Sequence, residues 1–145
     1  MADDPPDPRV AVSDRQDLPV DAPALAGLAR TVLAGEGVER GELALSFVTE
    51  EEMAGLHQRY LDLNGPTDVL AFAQDDPELL GDVVVCPAFA SRQREDLAQE
   101  LRLLVAHGTL HVLGYDHQEP ADRARMWARQ ERYSGVHMDP DEVTA

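Results

Sequence analysis

Residues 101–114 read LRLLVAHGTLHVLG. On a helix this stretch is apolar almost all the way round, which is the pattern of a helix enclosed by the rest of the chain. Gly114 is expected to close it, because glycine takes up positive φ without steric cost and lets the backbone reverse. An enclosed helix needs other layers around it, and the preceding sequence offers them. Leu43, Leu45 and Phe47 alternate with Ala44 and Ser46, as in a half-buried strand. Val69-Leu70-Ala71-Phe72 and Gly81-Asp82-Val83-Val84-Val85-Cys86 read as two further strands, and Val10–Val12 as a short first one. Asp21 before Ala22-Pro23 predicts a capped helix that buries Leu25, Leu28, Ala29, Val32 and Leu33 and stops at Gly35 and Gly37. Thr49 with Glu52 has capping-box spacing and opens a helix whose Met53, Leu56, Tyr60 and Leu61 are expected to face the core. Asn64-Gly65-Pro66 breaks the chain after it. From Pro87 to Leu113 the pattern is helical, in two pieces, and a last amphipathic helix covers Ala121–Tyr133. No βαβ alternation is read. The expected class is α+β: a small mixed β-sheet packed with helices, one of them central, buried and carrying the candidate metal-binding histidines.

The chain has 145 residues, 43% hydrophobic and 28% charged, which suits one domain and excludes a wholly disordered chain. That domain is assigned to residues 10–134, with a flexible Pro- and Asp-rich arm at 1–9 and an acidic tail at 135–145. No apolar run approaches the roughly 20 residues that span a bilayer, and MADDPPDP lacks the character of a secretion signal. The single cysteine, Cys86, reads as a buried strand residue rather than a nucleophile. A cytoplasmic location without a membrane partner is expected. Net charge is −16, and all twelve basic residues are arginine. Such a balance argues against non-specific binding to nucleic acid, which depends on neutralising phosphates. Residues 92–132 hold seven acids and seven arginines, so any cationic surface is local.

The chemistry lies at the end of the central helix. His107 and His111 are four apart and share one helical face; a reversal at Gly114 brings His117 back towards them. Three imidazoles from H-x₃-H-x₅-H can fill three corners of a tetrahedron and leave the fourth for water, as in a catalytic zinc site. One Zn²⁺ per chain is expected, with His107, His111 and His117 as ligands and catalysis through the metal-bound water. Three of the five histidines fall within eleven residues, and burying them without a shared partner would leave polar nitrogens unsatisfied. Asp116 can close the site as a fourth ligand, orient an imidazole, or simply serve the turn. The spacing matches that of metzincin proteases, but those carry Glu directly after the first histidine as general base. Gly108 stands there, so peptide hydrolysis lacks its proton acceptor.

The segment H-G-T-L-H-V-L-G-Y-D-H (His107–His117) resembles the YbeY-type endoribonuclease family of rRNA maturation factors. Pro66-Thr67-Asp68-Val69-Leu70 with Phe72, and Leu80-Gly81-Asp82-Val83-Val84-Val85-Cys86-Pro87, agree in order and spacing. The resemblance implies a single-strand-specific, metal-dependent endoribonuclease acting in 16S rRNA 3′-end maturation and ribosome quality control, with His107, His111 and His117 as zinc ligands. Its implied partners are single-stranded RNA and rRNA, with ribosomal proteins or the small subunit beside them. The chain departs from the family at Leu61, where an arginine thought to hold phosphate is common, and at Ala71, usually serine. Arg59, two residues before Leu61, would project about 160° away on a helix. Thr67 and Asp68 are read as a strand start, and His57 and His137 as surface residues. Arg92, Arg94 and Arg102 are read as ion-pair partners of Glu95, Asp96 and Glu100. Two other functions stay open: a ribosome-assembly factor that binds rRNA or ribosomal proteins and cuts little or not at all, and a zinc hydrolase of another phosphoester or amide.

Overall fold

The computed structural model describes residues 8–138. Along the chain run β1 (Arg9–Asp14), α1 (Ala22–Gly35), β2 (Glu42–Phe47), α2 (Glu50–Leu61), β3 (Val69–Ala73), β4 (Leu79–Val85), α3 (Pro87–Ala90), α4 (Leu97–Val112) and α5 (Pro120–Ser134). The strands form one sheet in the order β1-β2-β4-β3. β1, β2 and β4 run parallel, and β3 is antiparallel to β4. The class is the expected mixed α+β.

Two expectations about the sheet are corrected. β1 is twice as long as Val10–Val12, pairing from Arg9↔Glu42 to Asp14↔Phe47, and β1-α1-β2 is a parallel βαβ crossover. The strand hides in the sequence because it is an edge: most of its side chains are exposed, so no burial alternation marks it. Arg9, expected in the arm, belongs to this strand. At the other end Val136 and Met138, expected in the tail, pack with Met126 and Trp127. The remainder of the arm and tail, 1–7 and 139–145, lies outside the described residues.

The helix starts obey their caps. Asp21 accepts from Ala24 N at 3.1 Å, and Thr49 from Glu52 N at 3.1 Å. Glu52 does not complete the box; its carboxylate takes Arg15 instead, at 2.7 Å. In α2 Met53 is buried and Leu56 packs beside it. Tyr60 and Leu61 do not face the core as expected: they are 57% and 49% exposed. The small cluster under α2 (Val48, Met53, Leu70, Val84, Cys86) is covered by the first two turns, so the last turn extends past it. Asp62, in the left-handed region at φ 54°, then ends the helix.

α4 is the enclosed helix. One side meets Val69, Val83 and Val85 of the sheet, and the other meets Val32 of α1 and Met126 and Trp127 of α5. Gly108 marks its closest approach to the sheet, since a Cβ there would lie 2.6 Å from Val83 Cγ1. Gly114, at φ 103°, ends the helix in a Schellman motif: Gly114 N donates to His111 O at 3.0 Å and Tyr115 N to Leu110 O at 3.0 Å. Among the described residues no helix is long and apolar enough to cross a membrane.

Candidate metal centre

The glycine reversal does what the sequence suggested. His107, His111 and His117 come together, with one candidate ligand atom from each lying within 4.8 Å of the others. Ring centroids are 4.5 Å apart for His107–His111, 5.4 Å for His107–His117 and 5.1 Å for His111–His117. His107 is fully buried; the other two are half-buried. Trp127, the only tryptophan, walls the group at 5.9 Å from His107 and 5.2 Å from His117. Its indole Nε1 is buried and has no hydrogen-bond partner among the described residues.

Each α4 imidazole is held by its inner nitrogen. His107 Nδ1 lies 2.5 Å from Gln130 Oε1, and His111 Nδ1 lies 2.8 Å from the Tyr115 carbonyl. Both partners are acceptors, which assigns the proton of each ring to Nδ1 and makes Nε2 the nitrogen able to ligate. Burial, reinforced by His117, pulls the His111 imidazole below its usual range. A neutral imidazole is the form that ligates a metal. The donor set, three imidazole nitrogens within reach of one point, suits a borderline-soft divalent ion such as zinc. Asp116 Oδ1 accepts from the backbone N of His117 at 2.7 Å, and Arg123 Nε donates to the His117 carbonyl at 3.2 Å. Asp116 thus serves the turn and holds the main chain of His117 rather than a ring.

Two groups of supporting residues were not read from the sequence. Gln130 is fully buried on the apolar stripe of α5 that also carries Met126 and Trp127; a glutamine on such a stripe is the signal that could have found it. Its amide N donates to Met138 Sδ at 3.2 Å, fixing which end of the amide meets His107. The second group is centred on Glu36. Tyr115 OH donates to Glu36 Oε1 at 2.6 Å, Tyr133 OH donates to Oε2 at 2.5 Å, and Arg129 pairs with the same carboxylate. Burial pushes Glu36 up, but the two tyrosine hydroxyls and the charges of Arg129 and Arg132 together hold it below its usual range. Nothing local links Glu36 to the histidines; the fold does so through Tyr115.

Leu61 lies beside the histidines after all. It lines a cavity of about 250 Å³ together with Val69, Ala71, Phe72, His107 and His111. Among the described residues no arginine lines that cavity. The Arg59 guanidinium sits 6.0 Å from the Tyr60 ring centroid. Thr67 and Asp68, expected to start a strand, lie just ahead of β3, which begins at Val69. The buried Asp68 accepts from Val69 N at 2.7 Å, and the Gln93 amide bridges it, at 3.1 Å, to Glu100, at 2.9 Å. Burial, with Glu100 nearby, raises the Asp68 carboxyl above its usual range. Cys86 is buried, and burial raises its thiol. Of the expected ion pairs, Arg94–Glu100 forms at 2.7 Å. Arg92 instead pairs with Glu50 of α2, and Arg102 donates to the Ser134 carbonyl at 3.0 Å, because the fold brings α2 and α5 against them. His57 is half-buried, its Nδ1 2.9 Å from the Gly65 carbonyl, whereas His137 is exposed.

Fold and site together define an α+β protein in which two histidines of the enclosed helix and a third just beyond its end come close enough to hold one metal ion. The pattern of the family described as endoribonuclease YbeY matches residues 12–135, and the chain belongs to that family. The endoribonuclease YbeY of Rhodococcus erythropolis is 40% identical over 139 residues, covering 83% of this chain and 77% of its own. That of Frankia alni is 46% identical over 132 residues, covering 78% and 73%. The solution structure of TM1509 from Thermotoga maritima superposes with a TM-score of 0.58 at 25% identity, covering 86% of each chain.

Proposed function

We propose that this protein is a metal-dependent endoribonuclease that cuts single-stranded RNA, with one zinc ion held by His107, His111 and His117. Its setting would be 16S rRNA 3′-end maturation and ribosome quality control, in the cytoplasm and in contact with the small ribosomal subunit. One observation carries the reading: three imidazoles converge within 4.8 Å at the end of an enclosed helix, in a chain of this family. Zinc, when bound, would supply positive charge beside the scissile phosphate and a water of lowered pKa.

The chain's own residues do the positioning. Gln130 and the Tyr115 carbonyl fix the tautomers of His107 and His111, so two lone pairs are aimed without rotamer loss on binding. Burial of His107 keeps the inner side dry, which strengthens every electrostatic interaction there. The half-exposed His111 and His117 form the open side, where substrate enters. A second reading, an assembly factor that binds rRNA or ribosomal proteins with little or no cleavage, draws on Leu61. Among the described residues no arginine lines the cavity beside the histidines, and a net charge of −16 suits a basic protein partner.

The deciding experiment measures cleavage of a single-stranded RNA by wild type and His111→Ala, with zinc content determined for both. Wild type should carry about one equivalent and cleave, and His111→Ala should lose both properties. Cleavage that survives in His111→Ala overturns the nuclease reading, and zinc without cleavage moves the assembly factor ahead.

A further inference from the structure

The cavity beside the histidines is bounded by features that the metal site does not use. β3 is the second edge of the sheet, opposite β1. Cys86 N donates to Asp68 O and Gln74 N to Leu80 O, so residues 68, 70, 72 and 74 form the hydrogen-bonded pairs with β4. In an antiparallel ladder the alternate residues then point their N–H and C=O groups away from the partner strand. Ala71 and Ala73 therefore present backbone donors and acceptors on the open side, and Ala71 lines the cavity with His107 and His111.

Above that edge stands an aromatic pair. The Tyr60 and Phe72 rings lie 5.1 Å apart at 54°. Tyr60 is 57% exposed, a large apolar face left in water where the neighbouring turns of α2 bury theirs. Arg59 stands beside the Tyr60 ring, a local cation in a chain that is otherwise strongly acidic. A volume of about 250 Å³ is below the roughly 300–1,000 Å³ of sites that enclose a drug-sized ligand. It suits one planar ring system and not a whole nucleotide.

We infer that this cleft is a nucleobase subsite, in which an unpaired base stacks on the Tyr60–Phe72 pair and meets the Ala71 backbone along its edge. The inference rests on the endoribonuclease reading, because RNA is what would bring a base there. Stacking is tolerant of base identity, since every base has a π-face, and a backbone edge offers both a donor and an acceptor. A base within a duplex has both faces covered by its neighbours, so the subsite selects unpaired RNA on geometric grounds. It would also set the register of the strand, placing the phosphate adjoining the stacked base beside His107 and His111.

The test uses the zinc-loaded full chain and two probes at one salt concentration: a short single-stranded RNA oligomer and an oligomer of equal length with abasic riboses. Binding is read by fluorescence anisotropy, and cleavage is read in the same samples. Wild type should prefer the base-bearing oligomer by about five- to a hundredfold, the range for one stacked base. Tyr60→Ala and Phe72→Ala should lose that preference, Tyr60→Phe should keep it, and Leu18→Ala, an exposed leucine in the β1–α1 connection, should not alter it. Equal binding of the two probes by wild type, or a preference that survives in Tyr60→Ala, overturns the subsite. Cleavage without base preference would remove the subsite and leave the nuclease. Base preference without cleavage would do the reverse, and failure to bind either oligomer would overturn both.

Discussion

Leu61→Arg tests whether a cation is missing from the site. Leu61 lines the same cavity as His107 and His111, so a guanidinium built from this position enters the space beside the histidines. The substitution is benign for the fold, because Leu61 is 49% exposed and stands in the last turn of α2. A charge-assisted hydrogen bond to phosphate is worth about 1.5–3 kcal/mol when desolvated, whereas an exposed ion pair is worth about 0.2–1 kcal/mol. At a half-exposed position the value falls between these ranges, about 1.4 kcal/mol, which is roughly tenfold in rate if it acts in the transition state. Single-turnover cleavage of a single-stranded RNA, compared for wild type, Leu61→Arg and Leu61→Gln, reads this directly. Arg should gain about tenfold, Gln should not, and the gain should shrink as salt screens the charge. A Leu61→Arg protein that folds and binds zinc but cleaves no faster would refute the reasoning. So would wild-type activity that is already strong and indifferent to Arg59→Ala.

Other perturbations address the supports of the site. Gly114→Val forces a β-branched residue to φ 103°; it should cost about 1–3 kcal/mol and lower zinc content, both visible in a melt followed by elemental analysis. Gln130→Leu removes the amide oxygen that lies 2.5 Å from His107 Nδ1. Zinc affinity should fall about 10- to 100-fold, read by quenching of Trp127 on titration with Co²⁺, since that indole lies within 6 Å of two of the rings. Gly108→Ala gains about 1 kcal/mol of helix propensity but pushes a Cβ to 2.6 Å from the stiff, buried Val83. Overpacking of about 1–3 kcal/mol should win, giving a net loss in denaturant unfolding. Burial raises the Asp68 carboxyl above its ordinary 3.8, so the folded protein holds that proton more tightly than the unfolded chain. Asp68 therefore favours folding most at acid pH, and its contribution is lost as pH rises through the folded value. The stability of wild type relative to Asp68→Asn should decline with pH above 3.8, and a flat difference would show that the carboxyl is not perturbed.

The parts of the fold that were legible in the sequence are those written locally. The enclosed helix shows in its own composition, and its end shows in one glycine. The starts at Asp21 and Thr49 show in residues three positions apart. β1 reads short in the sequence because an edge strand with exposed faces carries no alternation, and the βαβ unit is hidden with it. Tyr60 and Leu61 defeat the sequence reading for a different reason. Helical spacing puts them on the stripe of Met53 and Leu56, but spacing cannot say where the sheet beneath that stripe ends. The same limit hides Leu61, which lines the cavity, and Tyr60, whose ring stands beside Phe72 of that lining.

The site was legible to the same degree and for the same reason. The histidines lie within eleven residues, whereas the groups that aim them are distant: Gln130 is 23 residues from His107, and Glu36 is 79 from Tyr115 and 97 from Tyr133. Such links exist only once α1 and α5 have packed against α4. Gly108 joins the two kinds of information. The sequence argued that glycine after the first histidine removes the general base a peptide hydrolase would use. The structure gives the reason for glycine in packing terms: α4 lies so close to Val83 and Val69 that a side chain there meets the sheet. A glutamate at 108 would have to displace the strand that helps to position the helix. The tight helix–sheet contact that buries His107 thus also excludes one chemistry from its neighbour.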